Sequence, residues 1–400
     1  MRDSAEFKAT GGAGLYRELL SNAVRHKNRL MALIETLTGR KPHQLDAEVV
    51  SALMLGLVQM SPGSKVEPWA AVDESVGLLA WVGKPYLKGV INASLRRYQR
   101  EGVELEGALE NRALQLSHPE WMLKKWEAVF GPEVMMQLAL AHNQPPRIWL
   151  VPRPDLGVDG LKERLAAQGI TCEVEGGALW VPKAAGLFET PAYQEGLFYV
   201  QDPSAQAIAA WAASLQPKRL LDACAAPGGK LAYLLWALPE LDAVALEPNA
   251  GRMKRTRENL KRLGLKARLS ETTAEDFDDA LGFDLVLADV PCSATGTIGK
   301  HPEIKWDRRP ADFARNQETQ GILLESLAPL VRSGGHLLYA TCSLEAEENE
   351  AVVEDFLAGH PQFSRQVTPE GQPYLRQLPQ PGRSGSFGAL LVKAETKKTA

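Results

Sequence analysis

The sequence predicts an α/β fold: a parallel, doubly wound sheet in the second half of the chain, an all-α region before it, and a small α/β stretch between. Three observations predict it. Up to about Arg100 apolar residues recur three and four positions apart; from Gln201 onward short apolar runs alternate with amphipathic stretches; the stretch between mixes both patterns. At ~100–200 residues per domain, a chain of 400 residues divides as 1–115, 116–200 and 201–395.

In the helical region Leu19, Leu20, Val24, Leu30, Leu33, Ile34 and Leu37 follow helical spacing, as do Val49, Val50, Leu53, Met54, Leu57 and Val58. Helices over Ala70–Val82 and Tyr86–Arg100 follow, the second ending in a basic LRRYQR. Breaks at Lys41-Pro42, Pro62-Gly63 and Gly83-Lys84-Pro85 separate them. A helical module of this kind ahead of an α/β region suits docking better than catalysis. Glu101–Glu120 is acidic and short of apolar runs, and reads as a linker. Beyond it Arg147–Val151 predicts a strand, Leu161–Gln168 a helix and Glu173–Trp180 further strand. Strands are then expected at Arg219–Ala223, Ala243–Leu246, Ala267–Ser270, Asp284–Asp289, Gly335–Thr341 and Gly388–Val392, with helices between. Parallel sheets of this type bind ligands beyond the carboxyl ends of their strands. The tail AETKKTA is expected to fray.

Composition narrows the function. Hydrophobic residues at 45% and charged residues at 24% exclude a disordered or fibrous chain. A net charge of −4 argues against a wholesale polyanion binder but leaves room for one basic face. Four cysteines (Cys172, Cys224, Cys292, Cys342) are too few for a disulfide scaffold and suit a reducing compartment. They have no CxxC spacing and no nearby His pair, so no metal is expected. No run reaches the ~20 apolar residues of a membrane span, and the first residues carry no signal peptide pattern. A cytoplasmic protein, independent of membranes and monomeric, is expected.

Four segments carry chemistry. Asp222-Ala223-Cys224-Ala225-Ala226-Pro227-Gly228-Gly229-Lys230 joins a strand to a helix; its small residues let backbone approach a ligand, and the helix start offers free N–H donors. It is not a Walker loop, because Leu231 follows Lys230. Glu247 ends the next strand 18 positions after Gly229, near the ~20-residue offset at which an acid meets ribose hydroxyls. Turn plus acid fits a nucleoside-containing cofactor, NAD and S-adenosylmethionine alike. Asp289-Val290-Pro291-Cys292-Ser293 and Tyr339-Ala340-Thr341-Cys342-Ser343 each bring a cysteine to the same sheet edge. A helix opening at Ser343 would lower the pKa of Cys342. Between Arg252 and Arg268 eight Lys or Arg face one acid, Glu258, and Ala294–Trp306 adds a loop with two lysines, a histidine and an aromatic. Both suit contact with a polyanion.

The combination DACAAPGGK, DVPCSATG, HPEIKW and YATCS resembles the S-adenosylmethionine-dependent RNA cytosine-5 methyltransferases, and within them the bacterial Fmu/Sun (RsmB-like) type acting on 16S ribosomal RNA. The segments LYRELLSNAVRHKNRL, LDAEVVSALMLGLVQM, AAVDESVGLL and GVINASLRR resemble its NusB-like RNA-binding domain. The resemblance implies a Rossmann-like doubly wound methyltransferase sheet with a small α/β subdomain, preceded by an all-α NusB-like domain. It implies S-adenosyl-L-methionine as cofactor and 16S ribosomal RNA, unassembled or partly assembled, as partner. It carries the methionine-side cofactor loop onto Ala226, Gly228, Gly229 and Lys230, the ribose acid onto Glu247, and a cofactor- and base-contacting acid onto Asp289. Lys230 is also counted with the catalytic residues. Cys342 matches the nucleophile and Cys292 the cysteine that assists product release. Arg252 and Glu271 complete the expected cofactor set, Glu271 standing in Ser270-Glu271-Thr272 where the family has an adenine-side Asp. The family's DGFFYA appears here as SGSFGALL, and the helical match begins near Leu15, so that domain is expected to lack its first helices.

The chemistry is coherent without the family. Cytosine C5 is too weak a nucleophile to take a methyl group from a sulfonium, whereas a thiolate adding at C6 makes C5 enamine-like. Runners-up are a nicotinamide-dependent oxidoreductase, for which APGGK departs from GxGxxG, the same methylation on another RNA such as tRNA, and a non-catalytic RNA-binding factor.

Overall fold

The computed structural model describes residues 12–61, 64, 66–109 and 111–395. The break at Pro62-Gly63 and the tail beyond Glu395 lie outside them. The chain forms two compact units, Met1–Asn143 with His301–Trp306, and Gln144–Lys300 with Asp307–Ala400.

The first unit holds helices α1 (Gly12–Arg25), α2 (Lys27–Thr38), α3 (Ala47–Gln59), α4 (Pro68–Trp81), α5 (Lys88–Gly107), α6 (Arg112–Gln115), α7 (Glu120–Phe130) and α8 (Pro132–His142). Leu30, Leu33, Ile34, Leu53, Leu57, Val72, Leu79, Ile91 and Leu95 form its core, so the helical periodicity marks buried faces. The stretch read as a linker is mostly helix. α5 continues to Gly107 because Leu105 is buried and Glu106 accepts from Arg29 Nε (2.6 Å) and Tyr98 Oη (2.8 Å). Where the sequence reading divides the chain at 115/116, the compact units divide at 143/144. Beyond residue 115, Ser117 Oγ accepts from the Asn28 amide at 3.1 Å, and His118, Trp126 and His142 pack ring against ring with centroids 5.2–5.8 Å apart.

The loop expected to face nucleic acid supplies part of this unit instead. Lys305 is fully buried, its ammonium donating to the carbonyls of Arg25 (3.0 Å) and Ser117 (3.1 Å) and to Asn143 Oδ1 (2.6 Å). Trp306 Nε1 donates to the Val24 carbonyl at 2.7 Å. Three acceptors satisfy an ammonium's three donors, which is why this lysine tolerates burial.

The second unit begins with β1 (Ile148–Pro152), α9 (Gly157–Ala166), β2 (Glu173–Glu175), β3 (Ala178–Val181), α10 (Pro191–Gln194) and β4 (Phe198–Val200), whose strands form an antiparallel sheet in the order β2-β3-β1-β4. Gly176 and Gly177 make its hairpin turn, both at positive φ (58° and 77°). Val151 and Tyr199 share an apolar layer with Ile208, Leu220 and Leu285, so this small sheet belongs to the same unit as the main one.

The main sheet unit continues with α11 (Pro203–Ser214), β5 (Arg219–Asp222), α12 (Gly229–Ala237), β6 (Asp242–Leu246), α13 (Ala250–Arg262), β7 (Arg268–Ser270) and β8 (Phe283–Asp289). After α14 (Ile304–Asp307), whose residues up to Trp306 belong to the first unit, it ends with α15 (Pro310–Leu327), β9 (Val331–Thr341), α16 (Glu350–Gly359), β10 (Phe363–Gln366), β11 (Leu375–Gln377) and β12 (Ser386–Lys393). The strand order is β10-β12-β9-β8-β5-β6-β7, with β11 also on β12. The five strands from β9 to β7 are parallel, as predicted; β10, β11 and β12 pair antiparallel, which makes the sheet mixed. Alternate residues feed opposite layers: Leu221, Val286 and Leu337 lie on one face, Leu220, Leu285, Leu287 and Leu338 on the other. Among the described residues no helix is long and apolar enough to cross a membrane.

Candidate active site

The glycine-rich turn leaves β5 at Asp222 and enters α12 at Gly229. Ala223 N donates to Leu287 O (2.9 Å) and Ala225 N to Leu246 O (3.0 Å), tying the turn to both neighbouring strands. Gly228 caps α12 at φ 94°, and a Cβ there would stand 3.0 Å from Thr256 Cγ2, so both conformation and space require glycine. Ala226 offers its carbonyl to Arg252 Nη2 at 3.4 Å, while Pro227 is exposed. The Cys224 thiol is pushed up by burial and the surrounding carboxylates, which suits a structural role.

Asp222 is buried, and its Oδ1 has no hydrogen-bond partner. Burial, with the Asp289 charge adding to it, pushes this carboxyl up to about 7. Glu247 is 3% exposed, accepts from Asn249 N at 3.0 Å and pairs with Arg252 Nη1 at 3.2 Å. Arg252 thus spans the turn and the acid. Glu271 is exposed and pairs with Arg257 at 3.0 Å.

From the first turn of α12, Lys230 Nζ donates to Asp289 Oδ2, at the end of β8, at 2.5 Å. Burial opposes the ammonium, but the Asp289 carboxylate beside it holds the Lys230 pKa above the ordinary lysine value. Cys292 Sγ and Cys342 Sγ are 3.4 Å apart. The thiol–thiol hydrogen bond lowers the Cys342 pKa, the Lys230 charge adding a smaller push, and it raises that of Cys292, with burial in the same direction. Both shifts run in the direction that makes Cys342 the more acidic thiol of the pair.

That cause replaces the one expected from sequence. No helix opens at Ser343: its Oγ accepts from Glu345 N (3.1 Å), and α16 starts at Glu350 with Asn349 before it. The turn instead locks the backbone, since Gly296 N donates to Cys342 O at 2.9 Å and a Cβ on Gly296 would meet that oxygen at 2.7 Å.

The basic run is partly consumed internally. Arg262 lies 3.9 Å from the Tyr193 ring centre and donates to the carbonyls of Tyr193 (2.8 Å) and Phe198 (2.9 Å). Arg268 pairs with Asp279, and Lys300, in the loop, with buried Asp202. Arg255, Lys261 and Lys266 are exposed and have no ion-pair partner among the described residues. They keep a cationic edge on α13.

Residues 210–382 match the model of the 16S rRNA methyltransferase RsmB/F family. The chain is 35% identical over 389 residues to Ribosomal RNA small subunit methyltransferase B of Escherichia fergusonii, covering 95% of this chain and 90% of that protein. To the protein of the same name from Pseudomonas putida it is 38% identical over 396 residues, with the same coverage. The chain belongs to the ribosomal RNA small subunit methyltransferase B family. Residues 6–100 match the NusB family, starting ahead of Leu15, where the sequence resemblance began. A methyltransferase homologue from Pyrococcus horikoshii is similar in structure (TM-score 0.59, 26% identity, 70% of this chain and 97% of that one).

A methyltransferase of this family draws its methyl group from S-adenosylmethionine. The residues present fit that cofactor: a glycine cradle at Gly228, a recessed carboxylate at Glu247, and at Asp222 a buried oxygen lacking a partner. Among the described residues no His, Cys, Asp and Glu cluster could hold a metal. Sequence reasoning missed Glu348, Asn316 and Gln320. The available signal was the serine after each strand-end cysteine, since a buried hydroxyl needs a partner.

Proposed function

We propose that the protein methylates C5 of a cytosine in 16S ribosomal RNA, through a covalent adduct between Cys342 and C6. The observation that carries this is the pair of thiols 3.4 Å apart at one sheet edge, beside the Lys230–Asp289 pair. S-adenosylmethionine supplies an electrophilic methyl group. Asp222, the Ala223–Lys230 turn, Glu247 and Arg252 hold it, with Asp289 at the edge shared with the base. Cys342 adds to C6, making C5 nucleophilic, and the Lys230 ammonium, held by Asp289, offsets the negative charge that builds on the ring. Cys292 acts afterwards, in the elimination that strips the C5 proton and expels Cys342. The target base must leave its stack to reach the thiols, which looped or unassembled RNA permits cheaply. Bisulfite mapping of ribosomal RNA from a strain lacking the protein should show one 16S cytosine losing protection; unchanged 16S rRNA would remove this substrate.

Two consequences are measurable in binding. Glu247→Ala removes the acceptor for the ribose hydroxyls; charge-assisted hydrogen bonds contribute ~1.5–3 kcal/mol each, so calorimetry should show at least ~10-fold weaker cofactor binding. Unchanged affinity would exclude Glu247 as the ribose acid. Separately, Arg255→Glu with Lys261→Glu should flatten the salt dependence of RNA affinity and spare cofactor binding. Arg262 is unsuitable for this test because its guanidinium holds two backbone carbonyls.

A further inference from the structure

Behind the two thiols lies a carboxylate that neither the covalent chemistry nor the cofactor set uses. Glu348 is fully buried, in the short turn ahead of α16. Its Oε1 accepts from the Ser293 backbone N–H at 2.7 Å and from Asn316 Nδ2 at 2.6 Å. Its Oε2 accepts from the hydroxyls of both Ser293 and Ser343, which are 3.1 Å from each other. Ser293 follows Cys292, and Ser343 follows Cys342. One carboxylate thus joins the residues next to each thiol, on loops that leave different strands.

Glu348 is itself held. Tyr339 Oη donates to its carbonyl at 2.5 Å, and its amide donates to Glu345 O at 3.1 Å. α15 braces the same assembly twice, through Asn316 and through Gln320, whose Nε2 donates to Pro291 O at 2.9 Å. Arg308 Nε donates to Ser293 O at 2.9 Å. An apolar side chain would fill the space without the cost of burying a charge, but would take the acceptor from two amide N–H groups and two hydroxyls.

We propose that Glu348 is a positioning residue, which sets the 3.4 Å contact between Cys292 and Cys342 by seating Ser293 and Ser343. This rests on the reading in which Cys342 adds to the base and Cys292 acts in release. With Glu348 altered, the two loops lose their common acceptor and the thiols drift apart. Cys342 then loses the hydrogen bond with Cys292 that lowers its pKa.

The test uses the full-length protein and two readouts. Each cysteine's alkylation by iodoacetamide is followed by mass spectrometry across pH, and methyl transfer is measured alongside. In the wild type Cys342 should react before Cys292 and at lower pH. Glu348→Gln also removes a charge that raises both thiols, so the readout is the difference between them: the lead of Cys342 over Cys292 should shrink. kcat should fall about 100-fold, the scale of a misplaced reacting group, with KM for the cofactor little changed. Ser293→Ala with Ser343→Ala should reproduce these shifts, and adding Glu348→Gln to that pair should cost nothing further, because the three act along one path. A folded Glu348→Gln protein with the wild-type alkylation profile overturns the proposal, as do losses that add. Should Glu348→Gln not fold, the serine pair carries the same two outcomes. Alkylation needs neither RNA nor methyl transfer, so failure of the covalent reading would show separately, as an active Cys342→Ala enzyme.

Discussion

Cys342→Ala should lose methyl transfer by about 10⁴-fold or more, the scale on which removal of a nucleophile acts, and should form no covalent species with RNA. Cys292→Ala should behave differently, stranding the methylated base on Cys342. Denaturing electrophoresis after incubation with substrate RNA and cofactor separates the two: a slow-migrating, RNase-sensitive band is expected for Cys292→Ala alone. The physical basis is the thiol–thiol contact at 3.4 Å. In the proposed mechanism Cys342 is the attacking thiol, its pKa lowered by the Cys292 thiol, while the same contact raises that of Cys292. The band appearing with Cys342→Ala would reverse the roles, and inactivity in both without a band would leave Cys292 outside the release step.

Acid should weaken the helical unit steeply. His142 and His26 are pushed down to about 3 from 6.5, chiefly by burial and next by the charge of Lys305. His118 moves in the same direction for the same first reason. A base whose folded pKa is depressed binds fewer protons folded than unfolded. Its contribution is complete above the unfolded value of 6.5 and is lost as pH falls towards about 3. Each pH unit crossed in that window costs ~1.4 kcal/mol per histidine, so the two together remove roughly 5 kcal/mol between pH 6 and 4. His142→Phe isolates the effect, since both ring nitrogens of His142 lack partners and a phenyl ring fills the same space. The opening free energy of α7 and α8, read by hydrogen exchange corrected for intrinsic rates, should fall less steeply with acid in the variant. An identical slope would show that His142 is not held neutral.

Much of the α/β unit is legible in the sequence because its signals are local. The five parallel strands are apolar runs bounded by turns, and the Asp222–Lys230 turn announces itself through glycine. The thiols' shared edge follows from two strand ends in adjacent register, Asp289 beside Ala340. What the sequence hides depends on partners far along the chain. Lys305 reads as a solvated cation, and only the carbonyls of Arg25 and Ser117 make its burial tolerable. Glu348 sits in an acidic run, EAEENE, that resembles an exposed face, although its acceptors serve Ser293 some 55 positions away. Glu101–Glu120 lacks apolar runs, yet Leu105 and the Arg29–Glu106 pair keep α5 helical there. The antiparallel edge escapes a reading built on strand–helix alternation, because β12 enters without a helix before it.

The membership of His301–Trp306 in the helical unit bears on how the protein is made. Trp306 lies 163 residues after Asn143, and at ~5–20 residues per second the ribosome needs roughly 10–30 s to reach it. Throughout that interval the nascent helices lack Lys305, and the carbonyls of Arg25 and Ser117 and the Asn143 amide oxygen lack the ammonium that they bind in the finished molecule. The region synthesised first is therefore completed late, after β8 and the Pro-Cys loop have left the ribosome. A chain cut after Asn143 would release a helical piece with three acceptors stripped of their donor.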